Sequence, residues 1–250
     1  MKALRFVLPL MAGLIAQSAA EAQVFRLREP RLRDQWVVGL SGFGGIPVGD
    51  FRQHEDGGGG MELTVGFQPF RREPLIVRGN AAFLLYGRYN RDDTRDVCDI
   101  FGNNCQNQTV WYNSRYHNMS ISQIGPELMA TDGTWRPFAF ALAGITYFSS
   151  WANYGDPNRS GSSTGLYSSH NLSSAYGAGV RRIKRTFGRE TGLEMALRFT
   201  RNAKATYLTD RGVFRRADGS YDIAPETSAA NVLGLHLGFW VGPYINWNER

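Results

Sequence analysis

Residues 193–200 alternate without a fault: Leu193, Met195, Leu197 and Phe199 are apolar, while Glu194, Ala196, Arg198 and Thr200 are small or polar, and Asn202 continues the second set. A strand sends successive side chains to opposite faces, so this pattern gathers one kind on each side; a helix would scatter both kinds around its axis. The pattern returns at 233–241, where Leu233, Leu235, Leu237, Phe239 and Val241 oppose Gly234, His236, Gly238 and Trp240. It returns at 61–68, with Met61, Leu63, Val65 and Phe67 against Glu62, Thr64 and Gln68. At 75–89, Leu75, Val77, Ala81, Phe83, Leu85 and Tyr89 face away from Arg78, Asn80 and Arg88. Four further segments, at about 36–45, 117–130, 135–150 and 172–184, alternate less strictly but hold aromatic and small residues. Helical periodicity is almost absent, so eight strands are expected.

The spacing between these segments alternates as well. Residues 69–74, 131–134 and 185–190 are hairpin-length connections containing turn-forming residues. The other four links, 46–60, 90–116, 151–171 and 203–229, are long and polar. Several structureless loops of that length count against a compact soluble domain. They suit a membrane barrel, with short periplasmic turns on one rim and long loops on the other. The fold class expected is therefore all-β, a single eight-stranded antiparallel up-and-down transmembrane β-barrel with both termini on the short-turn side. Phe138 and Phe148 lie ten residues apart on one face of their strand. At ~3.4 Å per residue and a tilt near 40°, that is about 26 Å along the membrane normal, close to the ~25 Å apolar band of such barrels. They are taken with Trp36, Trp135, Tyr244 and Trp247 (periplasmic rim) and Tyr89, Tyr116 and Trp151 (outer rim) as an aromatic girdle. A soluble barrel of the lipocalin kind would carry the same alternation turned inside out.

Composition narrows the rest. Twenty-nine glycines in 250 residues exceed the usual ~7% with no Gly-X-Y period, which excludes collagen and suits a turn-rich β protein. Mean hydropathy is −0.33, and the one long apolar run is N-terminal, which excludes a helical membrane bundle. That run, residues 6–16, follows Lys2 and Arg5 and precedes the small-x-small stretch Ala20-Glu21-Ala22. It reads as an export signal over 1–22, cleaved before Gln23 and too short to span a membrane. Residues 23–34 follow as a periplasmic N-terminal segment, and 35–250 as the barrel domain. The net charge of +6 is scattered, without the basic stripe of a nucleic-acid binder, so no nucleic-acid partner is expected. Export places Cys98 and Cys105 in an oxidising compartment, where a disulfide between them is expected. The alternative, half of a metal site, lacks other soft ligands nearby.

At several places the chain resembles a known family. The stretch Gly44-Gly45-Ile46-Pro47-Val48-Gly49-Asp50-Phe51 looks like the first-strand exit of the small outer-membrane β-barrel proteins, the OmpA-like transmembrane domain group. Ile124-Gly125-Pro126-Glu127-Leu128, Arg136-Pro137-Phe138 and Gly144-Ile145-Thr146-Tyr147-Phe148 look like that group's fourth and fifth strands. Leu235-His236-Leu237-Gly238-Phe239-Trp240-Val241 resembles the last strand read by the barrel-assembly machinery. The resemblance implies a place, the bacterial outer membrane, with outer-membrane lipids and that machinery as partners and an extracellular ligand conceivable through the long loops.

Catalytic patterns are weak. Gly161-Ser162-Ser163-Thr164-Gly165 fits a nucleophile-elbow pattern but sits in a Ser/Gly-rich loop, not on a strand-to-helix turn. Gly57–Gly60 lacks a following Gly-Lys-Ser/Thr and reads as a flexible loop tip. The four histidines do not fall at metal-ligand spacing, and Asp92, Asp93, Asp96 and Asp99 are interleaved with Arg91 and Arg95 without EF-hand order. No cofactor and no metal are expected. A lipid-directed enzyme would need a His and a Ser near a strand end facing lipid. The available pairs, His117 with Ser120 and His170 with Ser173, are three apart and so do not share a strand face. Taking the apolar parity as outward leaves Glu62, Arg78, Arg88, Glu127, Glu194, Arg198 and His236 facing the lumen. Eight strands enclose only enough room for side chains to fill, so these charges must pair, and Gly177, Gly179, Gly234 and Gly238 are expected to give the arginines space. The expected function is structural or surface-interacting, with a polar plugged lumen and no catalysis. A narrow solute channel, or a lipid A- or phospholipid-modifying enzyme, is the alternative.

Overall fold

A computed structural model describes residues 36–69, 73–97, 106–155, 162–186, 189–215 and 221–244. Residues 1–22, expected as an export signal, residues 23–34, and Cys98, Asp99, Cys105 and Trp247 lie outside these residues. Twelve strands occur in the described chain: β1 Trp36–Val48, β2 Gly58–Phe67, β3 Leu75–Val97, β4 Gln106–Met129, β5 Trp135–Gly155 and β6 Ser162–Thr186 come first. β7 Arg189–Asn202, β8 Lys204–Tyr207, β9 Val213–Arg215, β10 Tyr221–Ile223, β11 Glu226–Ala229 and β12 Asn231–Tyr244 follow. β1–β7 and β12 close into one antiparallel barrel of eight strands in sequential order, β12 returning to pair with β1. Such closure leaves no open sheet edge within the barrel wall.

The alternation sorts the two faces. Val38, Leu40, Leu63, Val65, Phe83, Ile145, Leu172, Leu193, Leu197, Leu235 and Phe239 are exposed on the outside, while Glu62, Arg78, Glu127, Glu194 and Arg198 are buried within. A soluble barrel of the lipocalin kind would show the reverse. On β1 the outward set runs from Trp36 to Ile46; at ~3.4 Å per residue and a 40° tilt these residues are separated by about 26 Å along the barrel axis. That length therefore belongs to β1 and not to Phe138 and Phe148. Both phenylalanines are buried in the lumen, at 4% and 1% exposure, on the face of β5 that also turns Phe140 and Leu142 inward. Phe138 and Phe140 stand opposite Gly179 and Gly177 of β6. An added Cβ on either glycine would fall 2.7 Å or 2.6 Å from the facing phenyl ring. These two glycines make room for aromatic rings and not, as expected, for arginines.

A second correction comes from a β-bulge. The β3–β4 register shifts between Leu85 and Gly87, leaving Tyr86 as the extra residue. One inserted residue exchanges the faces of everything beyond it. Arg88 consequently points outward and is exposed, opposite Tyr116, with its guanidinium 5.7 Å from that ring. Tyr89 turns inward, opposite Arg115, whose guanidinium lies 4.3 Å from its ring. Arg88 is thus no lumen residue, and Tyr89 no member of an outward girdle. Trp36, Trp135 and Trp151 are exposed outside, and Tyr116 is half-buried. Tyr244 ends β12 beyond a register shift that follows Val241.

The long links are mostly strand. β3 and β4 stay paired out to Val97 and Gln106, and β5 and β6 out to Tyr154 and Ser162, so these loops are hairpins projecting beyond the barrel. Gly58, Gly59 and Gly60 belong to β2 instead of a loop tip; the backbone of β3 passes so near that a Cβ on Gly60 would fall 1.9 Å from the Phe83 carbonyl oxygen. After β1 a 3-10 turn, Gly49–Gln53, folds over the barrel mouth, and β8 pairs with β11 beside it.

Candidate functional site: the filled lumen

Six strands send ionisable side chains to one level of the lumen. β2 contributes Glu62, β3 Arg78, β4 Glu127, β6 Arg181, β7 both Glu194 and Arg198, and β12 His236, each buried. Three arginines thus face three glutamates. Arg78 donates to Glu127 at 2.7 Å, to Glu62 at 3.1 Å and to Glu194 at 3.4 Å, while its Nε–H donates to Asn80 at 2.9 Å. Arg181 donates to both oxygens of Glu127, at 2.5 and 2.9 Å, and to Glu194 at 2.6 Å. Arg198 donates to Glu62 and, at 2.5 Å, to the Gln123 carbonyl. Gln123 passes the chain on to Ser173 at 2.8 Å. His236 stacks flat on Phe43, ring centroids 4.5 Å apart, with Nδ1 3.9 Å from Glu62.

Each desolvated ion costs several kcal/mol, repaid only where partners saturate it. Charge-assisted and bidentate bonds are the strong ones, and Glu127 receives three. The aromatic rings add to this: Arg181 lies 4.3 Å from the Phe138 ring and 5.2 Å from Trp240, and Arg78 lies 4.6 Å from Phe140. Phe138, expected on the lipid side, therefore lines the charged layer from within together with Phe140, their ring faces toward cations.

Apolar groups fill the space on either side, so the lumen is layered and not polar throughout. Ile76, Met129, Phe138, Phe140, Leu142, Ala175 and Ala196 form one buried cluster. Leu84, Tyr86, Met119, Ile121, Phe148, Val232 and Tyr207 form another, joined by Phe51, which the 3-10 turn lowers into the mouth at 0% exposure. Phe51 packs edge-on against Tyr207 at 4.9 Å and Tyr86 at 5.4 Å. Burial holds the Tyr207 phenol above its ordinary range; its hydroxyl shares a 2.7 Å hydrogen bond with Ser228 of β11. At the short-turn rim Arg136 of β5 clasps Glu190 of β7 through two bonds of 2.7 and 2.8 Å.

The histidine–serine pairs named above do not assemble. His117 points into the lumen, fully buried, whereas Ser120 lies on the opposite face; His170 is exposed while Ser173 is buried. His117 meets Ser150 instead, Nδ1 to Oγ 2.8 Å, between Tyr86 and the lumen wall. Gly161 of the elbow pattern is outside the described residues, and Ser162, Ser163, Thr164 and Gly165 lie in β6 with no helix after them. Among the described residues no group of three metal-ligating side chains occurs.

Arg181, Gln123, Arg136, Glu190 and Phe51 were not among the expected lumen residues. For Arg181 the signal was present: it shares parity with Gly177 and Gly179. Glu190 likewise shares parity with Glu194. Arg136 was masked by placing Phe138, on the same face, outside. Phe51 lies in a link whose inward fold has no local signature.

No known protein family and no curated protein matches the chain. Solved structures with a similar course include Ail, the attachment invasion locus protein of Yersinia pestis, crystallised with the heparin analogue sucrose octasulfate, at 11% identity and a TM-score of 0.40, covering 84% of this chain and 98% of that one. Neisserial surface protein A is similar at 9% identity and 0.38, covering 84% and 97%. A major outer membrane protein from Thermus thermophilus is similar at 14% identity and 0.40, covering 82% and 98%. The likeness is one of general course, and the chain's chemistry has to be read from its own residues.

Proposed function

We propose that the chain is a non-catalytic integral barrel of a bacterial outer membrane, with a closed lumen and a surface that contacts molecules outside the cell. One observation carries the membrane reading: a ring of exposed Leu, Val, Ile, Phe and Met side chains on the outer wall, about as tall as a membrane's hydrocarbon band, around a charged interior. In water that ring would be a contiguous apolar surface far larger than a monomer carries. With short turns at the periplasm, the β3–β4 and β5–β6 hairpins project outward. Among the described residues, β3 beyond Leu85 has β4 as its ladder partner and no pairing to β2. An unpaired strand edge of this kind can accept an added strand, which supports a role in surface contact. The lumen network and the Phe51 cap support the absence of a pore, and the burial of His117 and Ser150 away from lipid supports the absence of lipid chemistry.

The test is refolding from urea into phospholipid vesicles. Insertion gives a species that migrates differently on a gel before and after boiling, and planar bilayers containing it show no stable conductance. A protein soluble without detergent, or one with large steady single-channel steps, refutes the reading.

A further inference from the structure

The rim with the short turns is strongly asymmetric in charge. The segment 181–190 holds Arg181, Arg182, Lys184, Arg185 and Arg189 against one acid, Glu190. Folding divides them by parity. Arg181 enters the charged layer, and Glu190 is drawn inside by Arg136, leaving Arg182, Lys184 and Arg189 exposed on the outer wall. None of these three forms an ion pair among the described residues. Arg182 stands opposite Trp135, itself 60% exposed, with its guanidinium 5.7 Å from the ring. The main chain fixes this corner: the Ile183 N–H donates to the Thr134 carbonyl at 2.6 Å, and the Thr191 hydroxyl donates to the Lys184 carbonyl at 3.3 Å. The exposed acid of the neighbouring turn, Asp132, accepts from Thr131 at 3.2 Å and pairs with no cation among the described residues.

We propose that this corner binds the headgroups of anionic phospholipids in the leaflet that faces the periplasm. The inference rests on the membrane reading above. Trp135 and Trp36 mark the level at which the apolar wall ends, where indole rings settle between hydrocarbon and headgroups. Cations set just beyond that level meet lipid phosphates, and Arg182, steadied by the Trp135 ring, offers a planar fork that matches a phosphate. A surface built only for the hydrocarbon band has no use for three unpaired cations on one corner; a negative headgroup supplies the missing partner without a protein acid. On the opposite rim Arg88, exposed and lying against Tyr116, serves as the internal control.

The experiment reads lipid preference directly. Barrels reconstituted in vesicles of phosphatidylcholine with about one third phosphatidylglycerol are examined with spin-labelled versions of each lipid, which report the fraction held at the protein surface. Wild type should hold labelled phosphatidylglycerol severalfold more than phosphatidylcholine, and about 0.5 M salt should reduce the ratio. The triple variant Arg182→Gln, Lys184→Gln, Arg189→Gln should bring it close to one, since each cation near an anionic surface is worth up to about fivefold. Arg88→Gln should leave it unchanged. Should the triple variant insert poorly, Lys184→Gln alone, exposed and unpaired, carries the same readout with a smaller fall. Equal retention of both lipids by an inserted wild type, or an undiminished preference in the triple variant, overturns the inference while the membrane reading stands. Failure of wild type to insert at all overturns both.

Discussion

Replacing Glu127 by Gln tests the lumen network where it is most concentrated. The carboxylate accepts three bonds, from Arg78 at 2.7 Å and from Arg181 at 2.5 and 2.9 Å. The amide keeps one acceptor oxygen: placed where Oε2 stands, it retains one bond from Arg78 and one from Arg181, while its N–H2 takes the Oε1 position, where the second Arg181 bond is lost and two donors face each other. The layer is left with three arginines and two glutamates. Breaking one side of a buried, hydrogen-bonded charge pair costs about 3–5 kcal/mol, because the surviving charge stays desolvated. Glu127→Gln should lower unfolding stability by that amount. The partner variant Arg181→Met removes one cation and keeps a similar volume beside Phe138 and Trp240. Combined, the two restore charge balance, two arginines to two glutamates, and should recover about 1–3 kcal/mol relative to the sum of the single effects. The assay is equilibrium urea unfolding of the vesicle-inserted barrel, followed by tryptophan fluorescence, with the four proteins compared at constant lipid composition. Strict additivity of the two substitutions, or a Glu127→Gln variant as stable as wild type, would refute the claim that neutralised charge holds the layer together.

The bulge at Tyr86 predicts that, in a background lacking Cys98 and Cys105, Arg88→Cys reacts quickly with a membrane-impermeant maleimide and Tyr89→Cys slowly; equal rates would place the parity change elsewhere. Phe51→Ala should cost about 3–5 kcal/mol, as for other buried phenylalanines. It should still give no pore in planar bilayers, because the charged layer beneath is untouched; a new conductance would make the cap, and not the network, the seal. Gly179→Ala should destabilise the barrel by about 1–3 kcal/mol through overpacking, since its Cβ would fall 2.3 Å from the Met195 carbonyl oxygen and 2.7 Å from the Phe138 ring. Gly44→Ala, with no atom within 4 Å of its Cβ, should unfold at the same urea concentration as wild type.

The wall of this barrel was legible in the chain itself. Period-two alternation identifies a strand and its two faces from neighbouring residues alone, and the alternation of short and long links sets the number of strands and the rim on which the ends meet. Glu62, Arg78, Glu127, Glu194, Arg198 and His236 lie on the inward face by that same local rule. What failed was whatever depends on a neighbour distant in sequence. β5 has apolar residues at both parities, so nothing within it says which set points inward; Gly177 and Gly179, across the ladder on β6, leave the space that Phe138 and Phe140 occupy. Arg88 and Tyr89 exchange faces because β3 inserts one residue against β4, and a bulge is a property of the pair and not of either strand. Phe51 reaches the lumen because the closed barrel presents an apolar mouth formed by Tyr86, Phe148 and Tyr207, three residues from three strands. Local sterics set the faces of a strand, but the filling of a closed volume is a joint constraint on all eight, and only the tertiary structure satisfies it.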